Sequence, residues 1–190
     1  MPKRTKKLPD AVYRLHVELE HVSPPVWRKL LVASNISLSA LHAVVNEAMG
    51  WNNSHLHQFI LRERRFGDVT MPDASELKLK DERKFLLDDL VGPGEVLKYQ
   101  YDFGDGWNHH IKVEAKLEPK EYFSYPLCIG GARACPPEDC GGPPGYENLV
   151  ASIKDKTSEE HDELLKWLGG HFDPDGFDVN RTNRALRGDY

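Results

Sequence analysis

The sequence predicts an α+β fold, an antiparallel or mixed sheet of about five strands with about three to four helices packed mainly on one face. Three observations carry that expectation. Apolar and polar residues alternate in several runs, as half-buried strands require. Other segments carry helical spacing bounded by caps and glycine stops. Two alternating runs also meet at Asp105-Gly106, a dipeptide that tolerates the positive φ of a tight hairpin turn.

In chain order, residues 1–10, MPKRTKKLPD, read as a disordered basic arm, and residues 11–190 as a single α+β domain. From Val12 to His21 the odd positions Tyr13, Leu15, Val17 and Leu19 are apolar and their neighbours polar, which predicts a strand. Ser23-Pro24-Pro25 interrupts it, because proline cannot donate to a central ladder, and Val26 to Val32 resumes as a second extended run. Ser37 can cap a helix through Leu38, Leu41, Val44, Val45, Ala48 and Met49, with Gly50 as its stop. After the turn residues Asn52-Asn53-Ser54, His55 to Leu61 predicts a strand with His55, His57, Phe59 and Leu61 on one face. Arg62 to Lys84 is charged and mixed, with a short strand at Phe66 to Met71, and Phe85 to Leu90 reads as a helical turn. Beyond Gly92-Pro93-Gly94, Tyr99 to Glu114 predicts the hairpin, with His109, Ile111 and Val113 toward the core. Tyr146, Leu149, Val150 and Ile153 have helical spacing, and Thr157 with Glu160 matches a capping box for a third helix ending at Gly169-Gly170. The tail reads as a turn and a last short helix.

The formal net charge is -5, from 30 acidic against 25 basic residues, which opposes the phosphate attraction that most nucleic-acid binders use. No stretch approaches the roughly 18 apolar residues of a membrane span, and the basic start lacks the apolar run of a secretory signal. A cytoplasmic protein is the expectation. In that compartment three cysteines point to free thiols or metal ligands, not to disulfides.

The chemistry-bearing residues gather around the hairpin and the loop behind it, CIGGARACPPEDCGGPPGY from Cys128 to Tyr146. Cys128, Cys135 and Cys140 are spaced with six and four residues between them, and the second spacing suits a pair of zinc ligands. His55, His57 and His109 are candidates to complete a tetrahedral zinc site. The alternative is that the cysteines are small buried hydrophobes. Glu138, Asp139, Asp102 and Asp105 can supply paired carboxylates for acid-base or hydrolytic metal chemistry, or they can be turn residues accepting backbone N–H groups. A nucleophilic Cys140 would need an environment that favours the thiolate. The glycine clusters match neither a Walker loop nor a dinucleotide fingerprint. The Asp173-Pro174-Asp175-Gly176 stretch fails as a calcium loop because Arg184 stands where the twelfth-position glutamate belongs.

Four motifs then occur in order: Pro24-Pro25-Val26-Trp27-Arg28, Gly50-Trp51 with His55-Leu56-His57-Gln58-Phe59, YDFGDGW from Tyr101, and PPEDCGGPPGY from Pro136. On these the chain resembles the plasmid pRiA4b ORF-3-like family, from about Val12 to near the C-terminus. The resemblance implies a compact α+β domain of bacterial and archaeal proteins, often associated with plasmids or mobile elements. Some such relatives carry resolvase or repressor labels. Nothing around Ser34, Ser37, Ser39 or Ser54 resembles a recombinase nucleophile, and the chain has no spare length for a helix-turn-helix domain.

The leading functional expectation is a binding or interaction domain for an unidentified protein or small molecule. Its polar groove would be formed by Trp51, Asp102, Asp105, Trp107, His109, Glu138 and Asp139. A metal-dependent hydrolase, with Glu138 or Asp102 as base, is the alternative from another class. A third is a nucleic-acid accessory protein using Lys3 to Lys7 and Arg62, Arg64 and Arg65.

Overall fold

Strand alternation does what it predicts at the N-terminus. Val12–Leu19 forms β1, whose odd side chains are buried, and it pairs antiparallel with β2, Trp27–Ala33, across the Pro24-Pro25 interruption. The chain is described here by a computed structural model over residues 8–189, so most of the basic arm lies outside the described residues. Helix α1, Leu38–Met49, starts where Ser37 accepts the Ala40 N–H at 3.2 Å and stops at Gly50, which takes the left-handed φ of 96°. That φ is costly for any residue with a Cβ.

The remaining strands are β3 His57–Leu61, β4 Arg64–Gly67, β5 Lys80–Asp81, β6 Val96–Tyr101, β7 Trp107–Leu117 and β8 Leu127–Ala132. Together the described residues form one sheet in the order β5-β4-β3-β6-β7-β1-β2-β8, antiparallel except between β4 and β5. The eight strands exceed the about five expected. The additional ones are short or irregular: β5 has two residues, and β8 runs through Gly130-Gly131, which carries no strand signal. Helices α2 Gly142–Lys154, α3 His161–Trp167 and α4 Val179–Arg187 complete the described fold.

Several expected boundaries move, each for a local reason. The hairpin does not turn on two residues. Tyr101 pairs with Trp107, and the five residues between them are closed by the Gly106 N–H donating to Asp102 O at 2.7 Å. β4 ends before the expected Phe66 to Met71 strand is complete, because Asp68 Oδ1 accepts from Thr70 N and Oγ1 and turns the chain. The Thr157 capping box does not form. Thr157 instead donates its N–H and hydroxyl to Asp155 Oδ1, and α3 begins only at His161. β3 begins at His57, which leaves His55 in the preceding loop.

The core lies between the sheet and α1, where Leu15, Leu30, Leu38, Leu41, Phe59, Tyr99, Tyr101, Trp107 and Ile111 are inaccessible to solvent. Burying each such side chain contributes about 1.5–3 kcal/mol. Arg28 joins that core to the tail. Its guanidinium donates to Ala48 O at 2.9 Å, Trp27 O at 2.8 Å and Ala132 O at 3.0 Å, and it lies 4.5 Å from the centre of the Phe177 ring. A Cβ at Gly131 would sit 2.6 Å from that ring, so the tail can lie on β8 only over glycine. The outer edge of β8 is closed as well: Asn183 of α4 accepts the Cys128 N–H and donates to Cys128 O, both at 2.8 Å.

Candidate functional site

Three loops meet at one end of the sheet: residues 51–56 after α1, residues 102–106 between β6 and β7, and residues 133–141 after β8. Trp51 forms their floor. It is buried, stacks on Tyr101 with ring centres 4.7 Å apart, stands edge-on to His109 at 5.3 Å, and donates its indole N–H to Pro136 O at 3.0 Å.

Glu138 then ties its own loop to the loop after α1 and to the end of β6. Oε1 accepts from the Tyr101 hydroxyl at 2.5 Å and from Asn52 N at 3.2 Å, and Oε2 accepts from Asn52 Nδ2 at 3.0 Å and Ser54 Oγ at 3.3 Å. The Tyr101 oxygen in turn accepts from the Ser54 N–H at 3.1 Å. Burial, followed by the bond to Glu138, raises the Tyr101 phenol above its ordinary value and so keeps it a donor. The Gly141 N–H donates to Asp105 Oδ2 at 3.2 Å, and a Cβ at Gly142 would collide with Asp105 O, so the hairpin tip and the cysteine loop touch only because that position is glycine.

Asp102, not Asp105, is the turn acceptor. Its Oδ1 accepts from Gly104 N at 2.9 Å and Asp105 N at 3.2 Å while its backbone holds φ 55°. His55 lies between Asp102 and Asp139, with Nδ1 3.5 Å from Asp102 Oδ2 and Nε2 3.4 Å from Asp139 Oδ1. Among the described residues, these three are the group of His, Cys, Asp and Glu side chains close enough to share an ion.

The residues expected to bind zinc go to different places. Cys128 is buried on β8 against Asn183, and His57 Nε2 donates to Glu82 Oε2 at 2.8 Å, remote in sequence from the cysteine loop. Cys135 and Cys140 are half-buried near the groove, outside the His55 group. The reason is the β3 start: with His55 outside the strand, the two histidines do not share a face. Burial pushes the Cys140 thiol up to about 12, with Asp105 adding to the effect, and raises Cys135 and Cys128 as well. Such thiols are protonated at neutral pH and poor nucleophiles.

Of the remaining candidates, Trp107 and His109 are fully buried beneath Trp51. The His109 ring faces the Tyr99 and Trp107 backbone without a well-formed hydrogen bond at either nitrogen, and burial lowers its pKa to about 3. Spacing gave no sign of a second buried group. His42 stacks flat on His57 with centres 3.4 Å apart, and its ring nitrogens meet the Tyr99 hydroxyl at 2.8 Å and Asn53 Oδ1 at 2.7 Å. His42 sits in an apolar-spaced helix and Glu82 in an unassigned segment, and only their burial side by side marks them.

Beside this cluster runs a groove of about 1160 Å³ between the end of α1, residues 134–139 and α4. Trp51 and Trp167 with Phe172 and Phe177 give it apolar walls. The carboxylates Glu47, Glu138, Asp139, Asp178 and Asp189 outnumber Arg28, Arg181 and Arg184 along it.

A family model described as plasmid pRiA4b ORF-3-like protein matches residues 11–181. An uncharacterized protein, y4hQ, of Sinorhizobium fredii (strain NBRC 101917 / NGR234) is 39% identical over 180 residues, which cover 93% of this chain and 91% of that protein. The crystal structure of a protein of unknown function, MM3350, from Methanosarcina mazei Go1 superposes with a TM-score of 0.84 at 34% identity, covering 90% of this chain and 97% of that one.

Proposed function

We propose a function from the premise that this chain belongs to the plasmid pRiA4b ORF-3-like family: it is a binding domain, holding a ligand in the groove beside Trp51, and not an enzyme in its own right. The observation that supports it is the groove itself, whose volume suits a drug-sized molecule or a short protein segment. Its wall is rigid, because Trp51 is pinned by Pro136 O and Tyr101 while Glu138 joins the loop after α1, its own loop and the end of β6. Ionic groups of both signs beside tryptophan and phenylalanine suit a ligand with apolar and charged parts. The excess of carboxylates repels phosphate and argues against nucleic acid as the occupant. Burial keeps the Cys140 thiol protonated and His109 neutral, so neither of these two side chains supports a nucleophilic reading of the loops.

The test is a ligand-observed NMR screen of mixed-charge fragments and short peptides against the full chain and its Trp167→Ala variant. Trp167 is half-exposed, so its loss spares the core. Hits should bind the variant at least tenfold more weakly, about 1.4 kcal/mol. Hits that bind both proteins equally would contradict the groove as the site.

A further inference from the structure

We infer that His55, Asp102 and Asp139 form a site for one first-row divalent cation, with solvent-facing positions left open for water or a ligand. The inference shares Asp139 with the groove but does not rest on the groove reading.

The three side chains come from three different loops, and one donor atom of each lies within 4.8 Å of the other two. Closing from that spacing to ligand bonds of about 2.0–2.2 Å needs only rotamer-scale movement. Simple ion pairing accounts for the cluster less well. Imidazole-carboxylate contacts elsewhere among the described residues include His57 to Glu82 at 2.8 Å and His16 to Glu18 at 3.1 Å, whereas His55 stands 3.5 Å from Asp102 and 3.4 Å from Asp139. Neither of those contacts is a hydrogen bond of good geometry.

Asp102 supplies the second, independent observation. Its side chain is only 10% exposed, and Oδ1 is satisfied by two backbone amides while Oδ2 has no hydrogen-bond partner and is aimed at His55. A nine-tenths buried carboxylate whose second oxygen makes no hydrogen bond, and has only the long contact to His55, gains from a closer positive charge. A divalent ion supplies that charge.

The surroundings hold each ligand in place. The Asp102 N–H donates to Leu56 O at 2.8 Å, the Tyr101 hydroxyl accepts the N–H of Ser54 next to His55, and Glu138, the residue before Asp139, is anchored by that same hydroxyl. Such outer partners orient metal ligands. One imidazole nitrogen with two carboxylates suits Mn, Fe, Co, Ni or Zn in the divalent state, whereas Ca and Mg prefer oxygen alone and Cu(I) prefers sulfur. Asp139 is 73% exposed, which gives the ion a route in.

The experiment is a titration of the full-length, chelator-treated chain with Co²⁺, followed by visible absorption and calorimetry. It is repeated on His55→Ala, Asp139→Asn and a Cys128→Ser, Cys135→Ser, Cys140→Ser triple variant. The expected result is saturation near one ion per chain, without sulfur-to-cobalt charge transfer, weakened at least tenfold in His55→Ala and in Asp139→Asn and unchanged in the cysteine variant. Asp139 is exposed, so its substitution tests the site in a protein that folds. Absence of saturable binding, full affinity in Asp139→Asn, or loss of binding in the cysteine variant would each overturn the inference. Fragment binding in the groove should persist in His55→Ala, because His55 does not line it.

Discussion

Glu138 accepts hydrogen bonds from Asn52, Ser54 and Tyr101, and so fixes two loops to the end of β6 at once. Replacing it by alanine strands the Tyr101 hydroxyl beneath the loop. Glu138→Ala should cost about 1–3 kcal/mol in urea denaturation and speed amide exchange over residues 134–141. Stability and exchange equal to wild type would remove Glu138 from the account. His109 makes a second prediction at this scale. Burial lowers its pKa from 6.5 to about 3, so below pH 6.5 the unfolded chain binds a proton that the folded chain does not. Stability from this group is therefore complete above pH 6.5 and is lost as pH falls toward the folded value. Between pH 7 and pH 5 that loss is about 2 kcal/mol, and His109→Leu should lack it when both proteins are unfolded in urea at each pH. An equal pH dependence in the two proteins would mean that His109 is not held neutral. His42, lowered to about 4 by burial and by His57, acts in the same direction in both.

Among the elements, β8 is the one whose state depends most on a distant side chain. An edge strand leaves N–H and C=O groups open to pairing with other chains, and here the Asn183 amide occupies the Cys128 pair in both directions. Asn183→Leu should destabilise the protein by about 1–3 kcal/mol and expose the Cys128 amide to exchange. Protection at Cys128 unchanged from wild type would show that the edge is closed by something else. This element also shows what the sequence makes legible. The first strand, α1 and the hairpin strands were readable because alternation, the Ser37 cap and the Gly50 stop are local signals. β8 was hidden by its glycines, and the Asn183 pairing spans 55 residues. The candidate site behaved likewise. Its loops, Trp51, Glu138 and Asp102 were readable as polar and aromatic residues near turns. The separation of His55 from His57 follows from where β3 starts, and the contacts of His57 with His42 and with Glu82 are set by tertiary packing.

For the whole molecule, the family match and the superposition with MM3350 establish the architecture, and function has to be argued from the site. Net charge -5 and the excess of carboxylates along the groove set one expectation. Duplex DNA should bind the full chain more weakly than about 10⁻⁴ M at physiological salt in fluorescence anisotropy. A micromolar complex that weakens steeply with salt would instead favour the nucleic-acid reading, with Arg62 and the basic arm as its contacts. Arg64 is already placed over the Phe66 ring at 4.9 Å, and Arg65 reaches Gln58.

The groove reading is tested most directly by the four indole N–H signals of the full chain, recorded with and without a screening hit. Trp51 and Trp167 line the groove, whereas Trp107 is buried in the core and Trp27 packs on His16. A groove ligand should shift the Trp51 and Trp167 signals and leave the other two in place. Shifts confined to Trp27, or no indole shift at ligand saturation, would contradict the groove as the functional surface.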